Sequence, residues 1–75
     1  MNTKQKLKFL KSAIMDVKRS YVDFDLTEDM NLRDLGLDSL DAVELQMYYE
    51  EKTQRTTIDP TGPINTVKDL LDVMT

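Results

Sequence analysis

The chain has 75 residues, neither cysteine nor histidine, a net charge of −4 and 40% hydrophobic residues. A chain of this length buries only about 60% of the surface its unfolded form exposes, and without cysteine neither a disulfide nor a thiolate metal site can supplement its core. The lack of histidine and cysteine also removes the commonest general base, the soft metal ligands and the thiol nucleophile, which argues against self-contained catalysis.

Residues 1–20 carry six cations against the single acid Asp16, a balance of +5, so the rest of the chain carries −9. So acidic a body disfavours nucleic acid and favours protein partners that present basic patches. No apolar run approaches the roughly 18 residues of a membrane span, and "MNTKQKLKFL" has no continuous hydrophobic stretch of the signal-peptide kind. The expectation is a single domain over 1–75, monomeric and cytoplasmic, without membrane insertion.

Leu7, Leu10, Ile14 and Val17 recur at steps of three and four with Ala13 beside them, which predicts a helix over 3–18 whose lysines form its solvated face. Residues 20–37, "SYVDFDLTEDMNLRDLGL", keep no sustained period and read as a long ordered loop anchored by some of Tyr21, Val22, Phe24, Leu26, Leu32 and Leu35. A second helix is predicted over 39–52. The segment "TQRTTIDPTGPIN" holds both prolines and one of the two glycines, so a helix there is a turn or two, with Asp59 as cap and Pro60 at its first position. Thr66 and Asp69 stand in capping-box spacing ahead of the stripe Val67, Leu70, Leu71 and Met74, which predicts another long helix. Nothing reads as a strand pair.

The second helix has two apolar stripes. At about 100° per residue, Val43 and Met47 fall within about 60° of Leu40, while Ala42, Leu45 and Tyr49 lie on roughly the opposite side. Glu44, Glu50 and Glu51 border the first stripe, and burying unpaired acids carries a large desolvation cost. Ala42, Leu45 and Tyr49 are therefore assigned to the core. Leu40, Val43 and Met47 become an exposed apolar strip with an acidic rim.

Ser39 has two possible roles at the start of this helix. Serine is a leading N-cap residue, yet Asp38 with Asp41 three residues on also has capping-box spacing. If Asp38 caps, the Ser39 hydroxyl is left free beside unpaired backbone N–H groups and the positive end of the helix dipole, a favourable setting for a phosphate ester.

The run "LRDLGLDSLDAVELQMYYEE", residues 32–51, resembles the acyl carrier proteins: Leu-Gly-x-Asp-Ser-Leu followed by Asp-x-Val-Glu-Leu and a Glu-Glu pair. The resemblance implies an all-α four-helix bundle with a long loop between its first two helices and a short third helix. It implies covalent 4'-phosphopantetheine on Ser39, flanked by Asp38 and Leu40, donated by coenzyme A and installed by a magnesium-dependent phosphopantetheinyl transferase. The thiol of that group would carry acyl cargo, which explains how a carrier can lack cysteine. Asp41, Val43, Glu44, Met47, Glu50 and Glu51 match positions at which the family meets basic partner enzymes. The chain departs from fatty-acid carriers at Asn31, Gln46, Tyr48 and Thr53 and in the pair Gly62-Pro63, which leaves fatty-acid, polyketide and related pathways open.

Two other readings compete. Asp23, Asp25, Thr27, Asp29, Asn31 and Asp34 fall at the ligand spacings of a calcium loop, although Glu28 occupies the position where such loops need glycine. The same bundle could also serve as an interaction module that never receives the cofactor.

Overall fold

A computed structural model describes residues 2–59 and 62–74. Among them the chain forms three α-helices, α1 (Thr3–Lys18), α2 (Ser39–Thr53) and α3 (Val67–Val73), with a 3-10 turn at Arg33–Leu35 between α1 and α2. Each α-helix opens on a reciprocal capping box: Asn2 with Gln5, Asp38 with Asp41, and Thr66 with Asp69. Such pairs satisfy backbone donors that a first turn otherwise leaves without partners. α1 and α2 both stop at a residue in the left-handed region, Arg19 at φ 53° and Gln54 at φ 60°.

The three helices meet in one core. Leu10, Ala13 and Ile14 come from α1, Ala42, Leu45 and Tyr49 from α2, and Val67, Leu70, Leu71 and Val73 from α3. Tyr49 is wholly buried, and its ring meets Phe9 edge-on at 5.5 Å between centroids, an arrangement aromatic quadrupoles favour. Leu7 and Val17, at the ends of the α1 stripe, are half-buried.

The loop between α1 and α2 contributes Val22, Leu26, Leu32 and Leu37 to the same core, with Leu35 packed at its margin. Tyr21 and Phe24, by contrast, remain 86% and 43% exposed. The loop is held from the far side by the start of α3. The N–H groups of Val67 and Lys68 donate to the carbonyls of Met30 and Glu28 at 2.9 and 3.0 Å, and the Leu32 N–H donates to the Asn65 carbonyl at 2.9 Å. An isolated antiparallel bridge pairs Asn31 with Thr66.

One expectation is corrected, and another falls on residues that are only partly described. The short third helix of a four-helix bundle is not found among the described residues, although Pro60 and Thr61 lie outside them. The described part of that segment takes its hydrogen bonds from distant partners: the Thr57 N–H donates to the Glu50 carboxylate at 3.0 Å and the Ile58 N–H to the Val73 carbonyl at 2.9 Å. Those two donors, which precede the expected cap at Asp59, are thus satisfied by distant parts of the chain. The last helix is short, at seven residues. Met74 leaves it in extended conformation to bridge Thr57, and its carbonyl accepts a 2.8 Å bond from the Lys6 ammonium.

Leu45 is 2% exposed at the centre of this core. Leu45→Ala should cost about 2–5 kcal/mol through lost transfer energy and the cavity left behind. Urea unfolding checks this; a loss below about half a kcal/mol, the size of an ordinary surface substitution, would show that the buried face of α2 is misassigned.

Candidate functional site

The site is set by how α2 begins. Asp38 is the N-cap, its Oδ1 accepting the Asp41 N–H at 2.9 Å, while Oδ2 of Asp41 accepts the Asp38 N–H at 3.1 Å. Because Asp38 takes the capping role, Ser39 is the first helical residue. Its side chain is exposed and forms no hydrogen bond among the described residues.

Behind the serine, the ammonium of Lys18 lies 3.1 Å from each oxygen of Asp41. The Asp41 carboxyl is held below its ordinary value of 3.8, first by the Asp38 backbone N–H and then by the bond from Lys18. Asp41 is only 8% exposed. Its charge is paired within the chain, which leaves it less available than the partner-contact role implied by the resemblance would require.

Leu40, Val43 and Met47 are 64%, 49% and 61% exposed on α2, opposite the buried Ala42, Leu45 and Tyr49. Two apolar faces on one helix thus have different fates, as the rim of acids predicts. Glu44 and Glu51 are exposed beside the strip, and their carboxylates have no bonded partner among the described residues. Glu50 is half-buried and accepts from both the N–H and the hydroxyl of Thr57, at 3.0 and 3.3 Å. Like Asp41, it is committed within the chain.

A cleft of about 570 Å³ opens beside Ser39, between the Arg33–Leu35 turn and the residues leading into α3. Arg33, Asn31 and Asn65 line it together with Leu37, Ile64 and Ser39. Neither Arg33 nor Asn65 is marked as a site residue by sequence spacing. Arg33 had a signal, since it is the one cation between residues 20 and 51, whereas Asn65 reaches the site only through the pairing of the loop with α3.

The calcium-like spacing of residues 23–34 does not gather ligands. Asp25 pairs with Lys11 at 3.5 Å, the Thr27 hydroxyl donates to Asp29, and Asn31 is bridged to Thr66. Among the described residues, no three acidic side chains converge in a way that could hold a metal ion. No helix among them is long and apolar enough to cross a membrane.

These features describe an all-helical unit in which the uncommitted Ser39 hydroxyl at the start of α2 stands next to an apolar strip and an open cleft. A family model described as the phosphopantetheine attachment site matches residues 19–73, a span that contains all of them. The chain belongs to this family of carrier domains, and its cofactor is covalently attached 4'-phosphopantetheine. No curated protein and no solved structure matched the chain.

The residues present fit the group. A phosphodiester needs a free oxygen for attachment, and the reciprocal capping box leaves that of Ser39 unbonded.

Asp41 also makes stability depend on pH in a defined window. A carboxyl whose value is lowered by folding stabilises the protein above its unfolded value, and that contribution is lost as pH falls through the folded one. The stability gap between wild type and Asp41→Asn should therefore be full at neutral pH and shrink below about pH 3.8. Asp69 is lowered likewise, by the N–H groups of Asn65 and Thr66, but it is common to both proteins and cancels in the comparison. Chemical denaturation at a series of pH values reads the gap; a gap that widens with acid would contradict the assignment.

Proposed function

We propose that the chain is an acyl carrier protein whose phosphopantetheine is attached through the Ser39 hydroxyl, with Asp38 and Leu40 flanking the linkage. The observation that carries this reading is the capping arrangement. Asp38 satisfies the helix start, so Ser39 is exposed at the first helical position with nothing else to bond. The cofactor supplies a thiol on which acyl groups are held as thioesters, and the protein supplies address and orientation. In this reading the chain does no chemistry itself and delivers its cargo, as a soluble cytoplasmic monomer, to enzymes of fatty-acid, polyketide or related biosynthesis.

Intact mass after incubation with coenzyme A and a phosphopantetheinyl transferase tests the attachment. Wild type should gain one phosphopantetheinyl group, and Ser39→Ala should gain none while staying folded, because the cap on Asp38 is untouched. Asp38→Ala, which removes that cap, should instead cost about 0.5–2 kcal/mol of stability. Wild type that gains no mass would leave the rival reading, an interaction module that is never modified. Labelling of Ser39→Ala would move the site elsewhere.

Leu40, Val43 and Met47 with Glu44 and Glu51 form the surface on which the transferase and acyl-processing enzymes dock. Its support is the coexistence of exposed apolar side chains and unpaired acids on one helix face, which suits a partner carrying basic residues around an apolar patch. Charges at such a rim act mainly by steering encounter, and they are screened over about 8–10 Å at physiological salt. Glu44→Lys should slow loading steeply at low salt and less at high salt. Met47→Ala should slow it at both, since apolar contact is not screened. Asp72→Lys on α3, where Asp72 pairs with Lys68 at 3.0 Å, should load at the wild-type rate. Equal rates for all four proteins at low salt would remove the docking role and leave the acids as a solubility feature.

A further inference from the structure

The cleft beside Ser39 has a composition that the family match does not account for. Its wall on one side is the turn carrying Arg33, fixed by bonds of 3.0 Å from the Leu35 N–H to the Leu32 carbonyl and from the Gly36 N–H to the Arg33 carbonyl. Gly36 makes this turn possible at φ 77°, a conformation costly for other residues. The opposite wall is the approach to α3, held against the turn by the 2.9 Å bond from the Leu32 N–H to the Asn65 carbonyl. Both walls are therefore fixed by bonds within the chain.

What lines the walls is chemically mixed. Arg33 is exposed, and its guanidinium has no bonded partner among the described residues; the same is true of the carboxamides of Asn31 and Asn65. Leu37 and Ile64 provide apolar surface between them. Asp34 and Asp38 also border the cleft, but the Asp38 carboxylate is turned to the Asp41 N–H, and among the described residues Arg33 is the only cation lining it.

Phosphopantetheine is mixed in the same way: a phosphodiester anion at the protein end, then a carbon bearing two methyl groups, then two amides. We infer that this cleft seats the arm, with Arg33 pairing the phosphodiester, Leu37 and Ile64 receiving the methyl groups, and Asn31 and Asn65 bonding the amides. The inference rests on Ser39 being the attachment residue. A guanidinium suits the first contact because its planar fork can donate two parallel bonds to phosphate oxygens. The carboxamides suit the last because each both donates and accepts, as an amide requires. Arg33, Asn31 and Asn65 are positioning residues: they restrict where the arm lies and take no part in forming or breaking its bonds.

The test uses the full chain loaded by transferase with isotopically labelled coenzyme A, and intact mass establishes loading before any spectrum is taken. In wild type, the arm's methyl groups should show nuclear Overhauser contacts to the methyls of Ile64 and Leu37, with lines broader than those of free pantetheine. Arg33→Ala should lose these contacts and narrow the lines, Arg33→Lys should keep part of them through its charge, and Asn31→Ala with Asn65→Ala should weaken contacts at the amide end first. Matching amide spectra of the unloaded variants and wild type would exclude a change of fold as the cause. A loaded wild type whose arm shows narrow lines and no contacts overturns the inference and leaves Ser39 attachment standing. Contacts that persist undiminished in Arg33→Ala overturn the role of Arg33, and a wild type that gains no mass removes the attachment reading together with this one.

Discussion

Two parts of the chain meet at Asp41. Its carboxylate accepts the N–H of Asp38 and a bond on each oxygen from the ammonium of Lys18, and its backbone N–H is bonded to the Asp38 side chain. An acid at 8% exposure is tolerable because its charge is paired and its oxygens are bonded. The consequence is geometric. The end of α1 is fastened to the start of α2, so the residues between them must leave and return to the same place, and Ser39 is held at the first helical position with its hydroxyl free.

The excursion between Lys18 and Asp38 is a structural wall as well as a connection. It sends Val22, Leu26, Leu32 and Leu37 inward, each fully buried leucine or valine contributing about 1.5–3 kcal/mol relative to exposure. Its backbone also supplies acceptors for the first N–H groups of α3, donors that a helix of seven residues cannot satisfy from within. The loop thereby completes α3, and α3 in turn fixes the loop. The cleft next to Ser39 is the gap left where the two meet, and its walls have the rigidity of that pairing.

α2 serves two environments at once, and the division is decided by charge. Tyr49 and Leu45 enter a core closed by Phe9, Leu10 and Leu70, while Leu40, Val43 and Met47 stay in water next to Glu44 and Glu51. Two of the positions singled out as departures in the sequence, Tyr48 and Thr53, make contacts within the chain. The Tyr48 ring lies tilted against Phe9 at 5.7 Å and its hydroxyl donates to Asp16 at 2.9 Å, and the Thr53 hydroxyl closes the helix end on the Tyr49 carbonyl at 2.6 Å. These residues tie α2 to α1 and to its own last turn, which a small domain without cross-links needs, since the net stability of such chains is the small difference of large terms.

Periodicity located α1 and α2 and showed two apolar stripes on α2, because amphipathic spacing is a local property that a long helix repeats several times, and the acids beside one stripe decided which of the two is buried. The capping boxes were legible for the same reason: Asp38 with Asp41 and Thr66 with Asp69 are three residues apart, and each pair makes its bonds wherever the helix is placed. The resemblance in residues 32–51 pointed to a carrier, and the family match over 19–73 agrees. Long-range pairing lay beyond that reach. Nothing near Asp41 announces Lys18, 23 residues away, and nothing near Glu50 announces that Thr57 would claim its carboxylate, so both acids looked available on the surface. The short helix expected to open at Asp59 and Pro60 falls partly outside the described residues; just ahead of it, the N–H groups of Thr57 and Ile58 are paired by Glu50 and Val73. Which polar groups are satisfied inside the molecule, and which are left for a ligand or a partner, depends on residues distant in sequence becoming neighbours, and only the folded chain decides that.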